Sequence, residues 1–151
     1  MATDKLHLRV ITPDDIKYDA DADMVIMRCT TGDMGILPNH EPCAAILDYG
    51  VLRIKTGGVE RAMAVFGGIA NVQDNTIIIL AGDAQWPEDI DRAHVEAERE
   101  KTERRLQTHT DDMDIQRDQV LIRRTLVQIE VSDYPIIGTL DGDETTADES
   151  E

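Results

Sequence analysis

The residues with the greatest chemical reach in this chain are four histidines, His7, His40, His94 and His109, and two cysteines, Cys29 and Cys43. A helical metal site needs such ligands at i and i+4, so that both project from one face. That spacing does not occur. The histidines fall in different segments, and the cysteines are in apolar surroundings, outside any C-x-x-C arrangement, as buried free thiols would be. The glycine pair in FGG leads into an apolar strand, with neither the lysine nor the helix that phosphate cradling requires, and no nucleophile elbow is present. Catalysis is not expected.

What remains is a loop built for display. Residues 32–42 read GDMGILPNHEP. Two glycines bracket a short acidic turn containing Asp33, and two prolines pin a tip that presents Asn39, His40 and Glu41. Taken as residues alone, this is also what any tight corner of a β-sandwich needs.

The elements that must hold this loop change character once along the chain. Up to about Leu80, short apolar runs are cut by Gly, Asp, Asn and Pro, as in an antiparallel sandwich. Strands are expected near 6–12, 24–29, 35–37, 43–47, 50–55, 60–65, 68–73 and 76–81. Gly57 with Gly58, and Asp74 with Asn75, supply the positive φ of tight hairpin turns. At Trp86 and Pro87 the period becomes helical, with Glu88, Asp89 and Asp91 placed where the helix dipole favours negative charge. This first helix is expected to run to about Gln107, with Ile90, Ala93, Ala97 and Leu106 as a thin apolar face. A second helix, capped by Thr110 or Asp111, is expected to reach about Val131. So short a connection implies a helical hairpin. The fold class is therefore an N-terminal antiparallel β-sandwich (1–86) followed by a two-helix hairpin (87–133), with an acidic tail (134–151).

The second helix carries two apolar stripes where a surface helix carries one. Ile115, Ile122, Leu126 and Ile129 form the first. Met113, Val120, Val127 and Val131 form the second, nearly opposite, with Arg117 and Arg124 beside it. Such a helix is either sandwiched between layers or exchanges one partner for another.

Composition narrows the function further. With 31 acidic against 15 basic residues the formal net charge is −16, which opposes binding to nucleic acid or to an anionic membrane surface. The low aromatic content of 3% disfavours base-stacking platforms. No run of apolar residues approaches the ~18 that a spanning helix requires, so neither membrane insertion nor a cleavable signal is expected. Residues 141–151 hold six acids and no base, the composition of a disordered tail.

In sequence the loop GDMGILPNHEP resembles the signature G-x-x-G-I-x-P-x-H-x-P of the epsilon subunit of F-type ATP synthases. FGGIANVQDNTIIILAGDA (66–84) is similar to the later strands of that family, and ERRLQTHTDDMD (103–114) to its inter-helix turn. The resemblance covers about 6–131. It implies a non-catalytic central-stalk (rotor) subunit coupling gamma to the membrane rotor ring in proton-driven ATP synthesis, peripheral on the cytoplasmic face of the bacterial inner membrane. It places Asp33, Asn39, His40 and Glu41 at the rotor-ring and gamma interface. It also implies a hairpin that can extend toward the catalytic alpha and beta subunits and inhibit ATP hydrolysis, with Arg117, Arg123 and Arg124 as contacts. No cofactor is required. ATP is the regulatory ligand the resemblance suggests, at Ile90, Asp91, Arg92, His94 and Arg124. There the sequence departs from the family's I-D-x-x-R-A motif, because His94 stands at the arginine position and Gln128 at that of a later arginine. A stand-alone ligand- or peptide-binding sandwich with a helical cap is the alternative.

Overall fold

The computed structural model describes residues 5–134. The strands are β1 (Leu6–Ile11), β2 (Ile16–Ala22), β3 (Met24–Cys29), β4 (Gly32–Ile36), β5 (Cys43–Thr56), β6 (Val59–Gln73), β7 (Thr76–Ala81) and β8 (Ala84–Gln85). Their order is β2-β1-β7-β6-β5-β3-β4, with β8 on β6. The β1–β7 pairing is parallel and every other pairing antiparallel. Inward side chains from both ends of this order, including Leu8, Val10, Ile77, Ile79, Met63, Ile54, Val25 and Ile36, meet in one aliphatic core. The sheet therefore folds over itself as a sandwich.

That folding happens within β5 and β6. On β5 the inward residues are Leu47 and then Leu52 and Ile54, and on β6 they are Met63 and Val65 and then Ala70 and Val72. An inward position changes from odd to even only where a strand turns a corner. The corner lies at Asp48–Gly50 and at Gly67 and Gly68, whose φ angles are +77° and +142°. The sequence reading splits each of these strands in two at this place. They are continuous in hydrogen bonding, and what breaks the alternation is the corner.

Three further expectations are corrected. The loop strand expected at 35–37 is Gly32–Ile36, paired to β3. β2 was not expected at all: its sequence, IKYDADA, is largely exposed, and only its pairing to β1 reveals it as a strand. Its Asp19 and Asp21 suit an edge, because charge there discourages pairing with another chain. His7 bridges to them across β1–β2, with Nε2 2.6 Å from Asp19 and Nδ1 3.1 Å from Asp21. Hydrogen bonds to Asp21 and Asp19 raise the imidazole pKa above 6.5. A raised folded-state pKa means that the stabilisation is complete below about 6.5 and lost as pH rises through the folded value. NMR titration should find His7 titrating above the ordinary 6.5, and His7→Gln should remove this pH dependence of stability; titration of His7 at or below 6.5 would contradict it.

The third correction concerns the helices. Pro87–Asp89 form a single 3-10 turn, Ile90 is extended, and α1 spans Arg92–Thr108 with Asp91 as N-cap, accepting from the His94 N–H at 3.2 Å. The buried residues of α1 are Val95 and Thr102, whereas Ala93 and Ala97 are exposed. Helix α2 spans Asp112–Ser132, and Asp111 caps it by accepting from the Met113 N–H at 2.9 Å. Both hairpin turns take the expected left-handed backbone, at Gly57 and Gly58 and at Asp74 and Asn75. The acidic tail lies outside the described residues except for Tyr134, which packs on the sandwich with its hydroxyl 2.7 Å from Glu60.

Candidate functional site: the display loop and the docked hairpin

Asp33 sits opposite Arg28 in the β3–β4 register and accepts from its Nε at 2.5 Å. Beyond β4 the chain exposes Leu37 and reaches Asn39, whose φ is +68°. Asn39 is clasped to Asn75 in the β6–β7 turn: its N–H donates to Asn75 Oδ1 at 2.5 Å, and Asn75 Nδ2 donates to Asn39 Oδ1 at 3.1 Å. His40 Nδ1 lies 2.8 Å from the Glu41 carbonyl, which can only accept, so Nδ1 carries the proton. Glu41 is exposed. The tip is thus tied down by a residue 36 positions away, and the sequence signal for it was the Asp74-Asn75 turn.

The outer face of the same part of the sandwich carries an apolar row. Register aligns Ile46 with Ile69, Ile69 with Leu80 and Leu80 with Ile11 across four strands. Ile46, Ile69 and Leu80 are 64%, 56% and 55% exposed. Scattered exposed apolar residues need no explanation, but a contiguous row on a highly charged chain reads as a docking surface. Sequence reasoning missed it, because a strand with apolar residues on both faces does not reveal which face is covered.

The outer face beyond the corner is covered by α2. Val127 and Val131 pack with Val51, Ala62, Ala64 and Phe66 in a second cluster, joined by Tyr49, Ile90 and Tyr134. The alanines are small where the helix comes close. Arg123 donates to Asp48 at 2.5 Å, Arg124 to Asp83 at 2.6 Å, and Gln128 Nε2 to Gln85 Oε1 at 2.7 Å. The opposite face of α2 meets α1 through Asp118, which accepts Arg105 Nε and Nη2 at 3.2 and 2.9 Å, with His109 Nδ1 at 3.3 Å. The two stripes thus belong to a helix held between α1 and the sheet. Met113 and Val120, on the sandwich-facing stripe, are nevertheless exposed, and Leu126 is half exposed.

The Arg105 guanidinium holds the Asp118 carboxyl below its ordinary range. Its contribution is therefore present above about pH 3.8 and lost as pH falls through the depressed folded value. The end of the hairpin should open in acid before the sandwich does, read as α-helix CD lost ahead of β-sheet signal, and Asp118→Asn should abolish that early step. A single coincident transition in both proteins would contradict this.

The residues expected for a nucleotide are engaged in contacts of their own. Ile90 packs in the second apolar cluster, Asp91 caps α1, and Arg92 pairs with Glu96 and Asp133. His94 lines the groove between the helices with Glu98, Lys101, Arg105 and Leu121, whereas Arg124 is engaged with Asp83 against the sheet. Arg117, the remaining expected contact, is exposed beside Asp114. Among the described residues, no group of three or more His, Cys, Asp or Glu is placed to hold a metal.

Residues 5–87 match the family model described as the ATP synthase Delta/Epsilon chain, beta-sandwich domain. The ATP synthase epsilon chain of Bacillus licheniformis is 38% identical over 127 residues, covering 84% of this chain and 97% of that one. The chain belongs to the ATP synthase epsilon-chain family. The epsilon chain of Syntrophomonas wolfei is 33% identical over 137 residues, covering 90% of this chain and all of the relative, so the family extends through both helices. In fold, a chain of the Euglena gracilis mitochondrial ATP synthase (OSCP/F1/c-ring, rotational state 1) aligns with a TM-score of 0.78 at 20% identity, over 89% of this chain and 84% of that one. A chain of the Tetrahymena thermophila mitochondrial enzyme's central stalk and c-ring aligns with a TM-score of 0.57 at 16% identity, over 87% and 99%. An epsilon chain is a non-catalytic subunit of the ATP synthase. Among the described residues no helix is long and apolar enough to cross a membrane.

Proposed function

We propose that this chain is a central-stalk subunit that couples gamma to the membrane rotor ring on the cytoplasmic face of a bacterial inner membrane, with a hairpin that inhibits ATP hydrolysis when it extends toward the alpha and beta subunits. The observation that carries this reading is the exposed row Ile46, Ile69 and Leu80 next to the clasped loop of Asn39, His40 and Glu41, on a chain of this family. The row offers gamma an apolar seat, and the loop offers the ring fixed polar groups. Exposed Met113, Val120 and Leu126 on α2 supply apolar surface for the extended arm, with Arg117, Arg123 and Arg124 as its cations.

The test is complex formation with gamma. Ile69→Asp with Leu80→Asp puts two charges into the proposed seat and should weaken the complex about a hundredfold or more, the loss expected of central interface residues. An unchanged affinity would overturn the gamma seat. The reading assigns no cofactor and no nucleotide to the groove, since an imidazole is a poorer phosphate clamp than a bidentate guanidinium and Arg124 is already paired. Titration with Mg-ATP into the millimolar range should give no saturable heat, and saturable heat lost on His94→Ala would reverse that assignment.

A further inference from the structure

Arg123 and Arg124 are consecutive, yet each finds the same pair of groups on the sandwich: a carboxylate and an aromatic ring. Arg123 is paired with Asp48 at 2.5 Å and its guanidinium lies 5.1 Å from the Tyr49 ring centroid; Arg124 is paired with Asp83 at 2.6 Å and lies 4.0 Å from that of Phe66. Tyr49 and Phe66 are cross-strand partners at the corner of β5 and β6, with their rings edge to face at 5.6 Å. Both carboxylates are pre-set by the backbone, Asp48 accepting the Tyr49 N–H and Asp83 the Ala84 N–H, each at 2.8 Å. A ring face plus a carboxylate suits the planar, delocalised guanidinium better than an ammonium.

We propose that Asp48, Tyr49, Phe66 and Asp83 form a guanidinium-binding cradle, occupied by Arg123 and Arg124 of this same chain, that locks α2 onto the sandwich. The lock shares Tyr49 and Phe66 with the apolar seam of Val127 and Val131 and adds two charge pairs to it, and it rests on the reading of a movable hairpin only for its consequence: while the cradle is filled, these two arginines are withheld from any other acidic surface. It is also the part of the docking that salt reaches, since the arginine and aspartate side chains are 30–53% exposed.

The experiment is hydrogen exchange of the full-length free chain, comparing amides of residues 120–131 with those of β7. Asp48→Asn with Asp83→Asn keeps an acceptor for each backbone N–H but removes both charges, and α2 should exchange about tenfold faster while β7 is unchanged. Arg123→Lys with Arg124→Lys keeps charge but loses the planar contact, and α2 should again exchange faster. Arg123→Asp with Arg124→Asp should release α2, and adding Asp48→Arg with Asp83→Arg should restore part of its protection. Exchange of α2 within about twofold of wild type in the asparagine variant would overturn the lock; wild-type exchange in the lysine variant would overturn its selectivity for guanidinium. Because no partner subunit is present, failure here is distinct from failure of the gamma complex or of hydrolysis inhibition.

Discussion

Gly68→Ala should lower the stability of the sandwich by about 3 kcal/mol or more, roughly a 10 °C fall in Tm. Gly68 has φ +142°, and a Cβ there would lie 2.3 Å from the Leu80 carbonyl oxygen and 2.9 Å from Ala81 Cα. Both obstacles are backbone atoms of β7, from Ala81, which is opposite Gly68 in the ladder, and its neighbour Leu80, so relief requires pulling β6 and β7 apart at the corner. A flexible side chain could step aside; a paired strand cannot. Gly57→Ala, also at positive φ but with nothing within 4 Å of its new Cβ, isolates the conformational cost alone and should be the milder of the two. Urea unfolding of both variants measures the difference. A Gly68→Ala midpoint no lower than that of Gly57→Ala would mean that the corner is not held by this close approach.

Val131→Asp should undock α2 and leave the sandwich folded. Val131 is fully buried among Val51, Ala62, Ala64 and Phe66, none of which can receive a carboxylate. The substitution removes an apolar contact and places a charge in the seam, a combined loss of about 3–5 kcal/mol, enough to favour the open arm. Exchange protection in α2 and part of the helical CD should fall while β7 amides stay protected. Met113→Asp, at a position 77% exposed, is the matched control and should change neither. If Val131→Asp unfolds the sandwich as well, hairpin and sandwich are one cooperative unit, and a separable arm is ruled out. This variant acts through the apolar seam and changes no cradle residue, so it complements the asparagine variants there.

Features carried by two or three neighbouring residues were legible in advance. Gly57-Gly58 and Asp74-Asn75 adopt left-handed turns because those residues tolerate positive φ, and Asp111 caps α2 through its own carboxylate. The paired stripes of α2 were legible from periodicity, but whether they meant a helix between two layers or one that exchanges a partner was not. The apolar face assigned to α1 was less reliable. That helix is held by Asp118 and Arg105 across the hairpin more than by alanines, and a mean pattern of hydrophobicity contains no sign of such a pair.

By itself, then, the sequence determined the aliphatic sandwich, the hairpin and the turns between them, because each follows from backbone preferences acting over a few residues. Tertiary structure alone decided the rest. The edge strand β2 exists through its pairing with β1, and the corner that divides β5 and β6 exists because opposite walls of one core require it. Asn75 reaches Asn39 across 36 positions, and Arg124 reaches Asp83 across 41. Those contacts depend on which distant backbone atoms the folded core holds within hydrogen-bond reach, a property of the packed chain that no local spacing encodes.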